Sequence, residues 1–328
     1  MKKYISLFLA AILMAGSLTA CSSGEKTTDQ DSSTIQIVTT IFPEYDWVQN
    51  ILGDNPANAE VTLLLDDGVD LHSYQPTAED ILKISTCDLF LYVGGESDEY
   101  VEDALQEAAN KDMVVINLLD VLGDKAKEEE LVEGMEMEVD EEDDSEEDEP
   151  EFDEHVWLSL RNASLFCDSI ADALASIDTE NANVYRSNAE SYKEKLQFLD
   201  EEYQNTVSAA SVKTLLFGDR FPFRYLVDDY GLDYYAAFTG CSAETEASFE
   251  TIAFLAQKVD ELALENVMTI EGTDHKIAET IIQNTTAKNQ TILSLNSLQS
   301  ATSNDVQNGT SYLSIMENNL SMLKEALK

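Results

Sequence analysis

The 328-residue chain is short of positive charge, with 19 Lys and Arg against 65 Asp and Glu and a formal net charge of −46 at pH 7. That imbalance excludes a nucleic-acid partner, because binding a polyphosphate gains from counterion release only where the protein supplies cations. It equally excludes docking on an anionic membrane through a basic patch. Histidine is rarer still, at 3 residues, and the 4 cysteines form no C-x-x-C pair, so neither a paired-thiolate zinc site nor a redox dithiol is indicated. The chain also lacks H-E-x-x-H, G-x-S-x-G and Walker A patterns, which removes the commonest hydrolase and nucleotide-binding readings. Core-forming residues are plentiful: 44% of the chain is hydrophobic, including 12 Phe, 13 Tyr and 2 Trp, which argues against global disorder. Because single cores stop growing near roughly 250–300 residues, this length points to two domains.

The N-terminus reads as an address. Lys2 and Lys3 precede an apolar run over residues 4–15, too short for a transmembrane helix, which needs about 20 residues. Leu18-Thr19-Ala20-Cys21 follows and resembles the lipobox of bacterial lipoproteins. The resemblance implies removal of a signal peptide (residues 1–20), lipidation of Cys21, and an extracytoplasmic chain held at the cell membrane by its acyl chains. Residues 21–33 carry no large apolar side chain and read as a flexible tether. Cys87 and Cys167 sit in apolar-periodic segments and read as small core residues. A disulfide between two of Cys87, Cys167 and Cys241 is left open by the sequence.

Strand-like runs at 35–39, 61–65, 89–93 and 114–117 alternate with helical periodicity, as expected of a parallel α/β sheet. Thr77 followed by Asp80 forms a helix-opening capping pattern. Residues 181–210 read as one long helix, with Tyr185, Tyr192, Leu196, Leu199 and Tyr203 at spacings of three, four and seven. A second strand–helix series begins at 214–217 and continues at 234–238, 267–270 and 291–295. The expected architecture is α/β: two Rossmann-like lobes with parallel sheets, over residues 34–178 and 211–328, joined by one long helix at 179–210.

Residues 128–154 stand apart, with 18 Asp and Glu in 27 positions and no Lys or Arg. Such a run buries no core and reads as a mobile acidic loop, set within 126–154. It ends at His155, in Asp153-Glu154-His155-Val156-Trp157. His72 lies in Asp70-Leu71-His72-Ser73-Tyr74-Gln75-Pro76-Thr77, in a loop after a strand, where α/β folds bind ligands. Either histidine alone is more often structural. Two of the chain's three, each beside acid, favour a metal site; imidazole suits Zn, Mn, Fe, Cu or Ni, and oxygen donors bias a site toward harder ions.

The segment HSYQPTAEDILKISTCDLFLYVGG, beginning at His72, resembles the N-terminal motif of the zinc/manganese substrate-binding lipoproteins of bacterial ABC importers. EHVWLS resembles that family's second ligand motif, whose zinc members often insert a His- or acid-rich loop just before it. Further matches are Tyr230-Gly231-Leu232, Glu244-Thr245-Glu246-Ala247-Ser248 and Leu295-Asn296-Ser297-Leu298. The resemblance spans essentially the whole mature chain. It implies two lobes bridged by one rigid helix, an ion in the cleft between them, delivery of that ion to an ABC permease, and no enzymatic turnover.

The second lobe departs from the family pattern. Arg220 occupies a family ligand position, and an always-cationic guanidinium cannot ligate a cation. Asp219 is then the nearest replacement donor, and Asn296 corresponds to the family's last ligand, normally an Asp. The expected metal set is therefore His72, His155, Asp219 and Asn296. Glu271 is a secondary candidate, His275 a weaker one, and Arg220 is expected to pair with Asp219 or Glu246. The expected cargo is Zn²⁺, with Mn²⁺ or Fe²⁺ as the alternative if oxygens dominate, and with a metal chelate meeting Arg220 as a third reading. A monomeric receptor is expected, and a metal-dependent surface adhesin is the alternative outside transport.

Overall fold

The computed structural model describes residues 34–136, 151–242 and 246–328. The lipobox with Cys21, the tether, residues 137–150 of the acidic run, and Glu244 and Thr245 lie outside the described residues. Strands β1 (Gln36–Thr39), β2 (Glu60–Leu63), β3 (Leu89–Tyr92) and β4 (Val114–Asn117) form one parallel sheet in the order β2-β1-β3-β4. Helices α1 (Phe42–Leu52), α2 (Ala78–Thr86), α3 (Tyr100–Gln106), α4 (Leu118–Leu122) and α5 (Leu160–Ile177) belong to this half. Parallel strands covered on both faces need near-continuous apolar runs, and β3, Leu-Phe-Leu-Tyr, is buried along its first three residues.

Two helix starts are written in local chemistry. Thr77 Oγ1 accepts from the Asp80 N–H at 3.2 Å while Asp80 Oδ2 accepts from the Thr77 N–H at 3.0 Å, closing the expected capping box of α2. At α1 the fully buried Glu44 accepts from the N–H groups of Thr40 and Ile41 at 2.8 and 3.3 Å, satisfying donors that precede the first turn.

Helix α6 (Ala182–Ala209) runs 28 residues, about 42 Å at 1.5 Å per residue. It buries Tyr185, Ala189, Tyr192, Leu196, Leu199, Tyr203 and Val207, one stripe at steps of three and four. Its tyrosines anchor it at both ends: Tyr192 donates to Asp46 Oδ2 of α1 at 3.1 Å, and Tyr203 donates to the Met316 carbonyl at 2.6 Å.

Beyond α6, strands β5 (Thr214–Phe221), β6 (Asp233–Thr239), β7 (Asn266–Ile270) and β8 (Thr291–Leu295) form the second parallel sheet, in the order β6-β5-β7-β8. Helices α7 (Arg224–Tyr230), α8 (Phe249–Glu261), α9 (Lys276–Asn284), α10 (Ser303–Gln307) and α11 (Tyr312–Ala326) complete this lobe. Helix α11 returns to the first lobe, where Tyr312 donates to the Trp157 carbonyl at 2.7 Å and packs on Trp47. One apolar cluster consequently runs from Ile37 through Phe166 and Tyr203 to Met268 and Leu323, joining the two halves. Strand β5 is longer than its apolar start at 214–217 suggests. A register shift between Phe217 and Arg220 lets it continue through Gly218, where a Cβ would stand 2.6 Å from Ala278 Cα of α9.

The acidic run differs from a purely solvated loop at its ends. Glu128 bridges Phe152 in antiparallel fashion, and the Asp153 N–H donates to the Lys127 carbonyl at 2.8 Å. The outgoing arm reaches the second lobe: Glu136 N–H donates to the Ala237 carbonyl of β6 at 3.1 Å, and Glu130 pairs with Arg224 at 3.2 Å. Backbone pairing and ion pairs fix these segments together with apolar contacts, since Val132 and Met135 pack against the core. Cys87 and Cys167 are buried in the core, and Cys87, Cys167 and Cys241 are all free thiols, so no disulfide joins them. Among the described residues no helix is long and apolar enough to cross a membrane.

Candidate metal centre

The two sheets aim the carboxyl ends of their strands at a common cleft, and loops from those ends carry the site. Asp70 caps a single 3₁₀ turn, Leu71–Ser73, by accepting from the His72 N–H at 3.1 Å, which fixes the His72 backbone after β2. His155 immediately precedes a second 3₁₀ turn, Val156–Leu158, and its N–H donates to Asp153 Oδ1 at 2.9 Å. The pair meets with Nε2 atoms 3.1 Å apart. Two imidazoles on one tetrahedral zinc, with Zn–N of 2.0–2.1 Å, have nitrogens about 3.3 Å apart. His155 is fully buried, whereas the His72 side chain keeps 11% of its exposure and faces the cleft.

The far ring nitrogens determine what that contact needs. His155 Nδ1 lies 3.1 Å from Asp153 Oδ1; a carboxylate only accepts, so Nδ1 carries a proton and Nε2 is the nitrogen left to face His72. The 3.1 Å contact therefore requires a proton on one of the two Nε2 atoms or a cation between the rings. His72 Nδ1 is held by Ser97 Oγ at 2.9 Å, with Glu154 Oε2 at 3.3 Å as an ionic contact. Carboxylate-backed imidazoles of this kind orient metal ligands and raise their basicity.

Charge follows the same plan. Burial alone would lower the His72 pKa, but its bond to Glu154 and the negative charges of Asp70 and Glu154 outweigh burial and raise it. Burial would raise the Glu154 carboxyl; His72 and the Ser97 hydroxyl and N–H hold it below the ordinary value instead. The Asp70 carboxyl is likewise lowered, because Arg220 and His72 overcome its burial.

A third candidate donor comes from the second lobe. Cys241 follows β6, and its Sγ and the imidazole donor atoms of His72 and His155 all lie within 4.8 Å of one another. This is the one group of three or more His, Cys, Asp or Glu donors with such spacing among the described residues. Burial and the neighbouring Glu129, Asp153 and Glu154 charges push its thiol pKa up, so a cation is needed to draw off the proton. Gly240 lets this loop lie on the histidine: a Cβ there would sit 2.8 Å from His155 Cε1 and 2.9 Å from the Phe221 carbonyl oxygen. Positive-φ Gly95 plays the same part in the first lobe, where a Cβ would collide with Glu154. His72, Cys241 and Glu96, Glu129, Glu151 and Glu154 line an open cleft of about 700 Å³, so the mouth of the site is acidic.

The remaining sequence candidates are engaged with other partners. Asp219 turns Oδ1 to the Arg220 N–H at 2.9 Å and Oδ2 to the Ile270 N–H at 3.2 Å and Thr273 Oγ1 at 2.9 Å. Asn296 Oδ1 accepts from the Leu298 N–H at 2.7 Å, closing its own turn. Glu271 accepts from both the N–H and the hydroxyl of Ser297, each at 2.7 Å. Arg220 pairs with Asp70 of the first lobe at 2.7 Å, in place of the expected Asp219 or Glu246. Glu246 and His275 line a separate cavity of about 480 Å³ on the Arg220 side. The structure thus brings His72 and His155 together and adds Cys241, a residue that a search for closely spaced ligand pairs passes over. Its available signal was position: Cys241 follows the second strand of its lobe, the strand equivalent to the one before His72.

Comparison with known proteins shows the family. The family model described as the periplasmic component A of the zinc-uptake complex, ZnuA, matches residues 37–326. The zinc-binding lipoprotein AdcA of Streptococcus pneumoniae serotype 4 is 33% identical over 324 residues, covering 98% of this chain and 61% of AdcA. The chain therefore spans about three fifths of that relative's length. The high-affinity zinc uptake system protein ZnuA of Bacillus subtilis is 29% identical over 337 residues, covering 99% of this chain and 98% of its own. Among solved structures, the Zn(II)-bound ZnuA-like domain of the pneumococcal AdcA superposes with a TM-score of 0.69 at 30% identity, over 90% of this chain and 99% of that one. With two sheets of one strand order and a paired-histidine cleft between them, the chain belongs to the ZnuA family of periplasmic zinc-uptake components.

Proposed function

We propose that this protein is an extracytoplasmic receptor, anchored through lipid on Cys21, that captures Zn²⁺ in the cleft and delivers it to an ABC permease. The observation that carries this reading is the 3.1 Å approach of His72 and His155 Nε2, two ring nitrogens that meet only with a proton or a cation between them. A site of two imidazoles and one thiol suits zinc, which takes N and S donors tetrahedrally, better than Mn²⁺, which favours oxygen. The zinc in the names of the relatives points the same way.

The ion enters through the acidic mouth, where Glu96, Glu129 and Glu151 raise the local cation concentration. It displaces the proton held between the imidazoles, and the Cys241 thiol loses its own proton as sulfur binds. Two imidazoles and one sulfur leave a fourth tetrahedral position for water or the next carrier, which suits a cargo that must leave again. Asp153 is committed to an imidazole Nδ1 and Glu154 to His72 and Ser97, so neither is poised as a general base, and capture fits better than turnover. All three donors come from one chain, so a monomer suffices.

Competitive titration of the metal-free protein tests the reading. Zinc is expected to hold the site against equimolar manganese; manganese displacing zinc at comparable concentration would overturn the zinc assignment.

A further inference from the structure

Arg220 touches both loops that carry donors. Its Nη2 donates to Asp70 Oδ2 at 2.7 Å, and its Nη1 donates to the Ser242 carbonyl at 3.3 Å. Asp70 caps the turn that holds His72, and Ser242 is the residue after Cys241. One guanidinium therefore spans from the cap of the first lobe's ligand turn to the backbone of the second lobe's ligand loop. A planar group with separate terminal nitrogens spans both acceptors from fixed positions, whereas a lysine ammonium presents all its donors from one nitrogen.

The surroundings hold this bridge in place. The Arg220 and Asp70 side chains keep 20% and 23% of their exposure, so water screens the pair less than it would on the open surface. The register shift in β5 sets the strand end that presents Arg220, and Asp219 fixes that end by accepting from the Arg220 and Ile270 N–H groups. The bridge also stands between two cavities. Asp70, Arg220 and Ser242 line the smaller one, whereas His72 and Cys241 line the acidic cleft.

We propose that Arg220 is the positioning residue of this metal centre: its fork to Asp70 and to the Ser242 carbonyl holds the Cys241 loop against the His72 turn, so that lobe closure is maintained by a cation of the protein at a distance from the metal. The inference rests on the reading of His72, His155 and Cys241 as zinc donors. It explains how an arginine serves where a ligand cannot. It also assigns Asp70 and Arg220 a joint effect on how long the metal stays bound.

The test uses the full chain in detergent, with Arg220→Ala, Arg220→Lys, Asp70→Asn, the double variant Arg220→Ala/Asp70→Asn, and Cys241→Ser. Three readouts are needed: zinc affinity by chelator competition, zinc release rate by chelator capture, and the thiolate-to-metal charge-transfer band of the Co²⁺-loaded protein. Arg220→Ala and Asp70→Asn are each expected to lose about 10–100-fold in zinc affinity, the range for removing a partner that orients a ligand. The loss should appear mainly as faster release, with a weakened or shifted thiolate band. Arg220→Lys, which keeps the pair but loses the fork, should fall between, and the double variant should be little worse than either single change. Asp70→Asn keeps the proposal testable if Arg220→Ala fails to fold. Wild-type affinity, release rate and band in both Arg220→Ala and Asp70→Asn would overturn the role of Arg220. If Cys241→Ser abolishes the band while those variants keep it, the zinc reading stands and this inference falls. A wild-type protein with no thiolate band would overturn both.

Discussion

The two lobes share a plan and differ in what they put at its end. Each sheet has its second strand at the edge and its third and fourth on the other side of the first, and each sends a loop from the edge strand into the cleft. In the first lobe that loop carries His72, which meets the carboxylate-backed His155; in the second it carries Cys241 beside Arg220. The first lobe's donors are fixed by their own lobe: Asp70 and Asp153 bind the ligand backbones, while Ser97 and Asp153 hold the rings. The second lobe's donor depends on contacts across the cleft, through Arg220 to Asp70 and through the Cys241 N–H to Glu129 at 3.3 Å. On the proposed reading one half is a platform and the other a clasp, although the folds are alike. Architecture places loops at the cleft, while the few residues in those loops decide which half binds and which closes.

The largest expected effect comes from breaking the platform. His155→Ala removes a fully buried candidate ligand and the imidazole partner of Asp153, so zinc affinity should fall by more than the roughly 10–100-fold that an orienting partner is worth, read by chelator competition. Next comes the clasp: Cys241→Ser replaces sulfur by a harder hydroxyl, and zinc should lose ground relative to Mn²⁺ while the His pair keeps some binding, measured by two-metal competition. Asp153→Asn leaves the ring in place but weakens its orientation and basicity; a loss of about 10–100-fold in affinity would place it in the platform. Equal effects for His155→Ala and Cys241→Ser on zinc affinity would erase the distinction between the lobes.

Acid should loosen the platform. The folded, metal-free protein holds a proton on His72 above the ordinary imidazole value of 6.5, and metal must displace it, so zinc affinity should begin to fall above that pH and keep falling below it. An affinity flat from about pH 7.5 to about pH 5 would remove the imidazoles from the binding step.

The smallest predicted effect concerns the first lobe's interior. Burial and the charge of Asp98 push the Glu44 carboxyl up to about 8, and burial lifts Asp98 to about 7. A carboxyl whose folded pKa is raised binds its proton more tightly when folded. The resulting stability is present below the unfolded value of about 4.5 and is lost as pH rises through about 8. Glu44→Gln should flatten that loss by a few °C in Tm, at about 2–4 °C per kcal/mol for a domain of this size. An unchanged pH profile would show that Glu44 is ionised throughout.

Much of this was legible in the chain before any coordinates. Alternating apolar runs marked all eight strands, because buried parallel strands leave a dense local signal. Thr77 with Asp80 announced the start of α2, since a capping box is decided within four residues. His72 and His155 were conspicuous because histidine is so rare here and both sit beside acid. What stayed hidden was set by tertiary geometry. Strand β5 extends past Gly218 only because α9 packs against a missing side chain, which carries Arg220 to the cleft edge. Asp219, Asn296 and Glu271 looked like free oxygen donors, yet each is engaged by backbone or hydroxyl groups that come from the surrounding turns. Cys241 lies 86 residues beyond His155 in the chain, and only the crossing of two sheets brings it near.

Zinc K-edge X-ray absorption on the zinc-loaded chain tests the central claim most directly, because it counts the donors of each kind. Two imidazole nitrogens near 2.0–2.1 Å, one sulfur near 2.3 Å and one further light donor are expected, the distances zinc takes with these ligands. A shell of nitrogen and oxygen alone, with no sulfur, would contradict that claim.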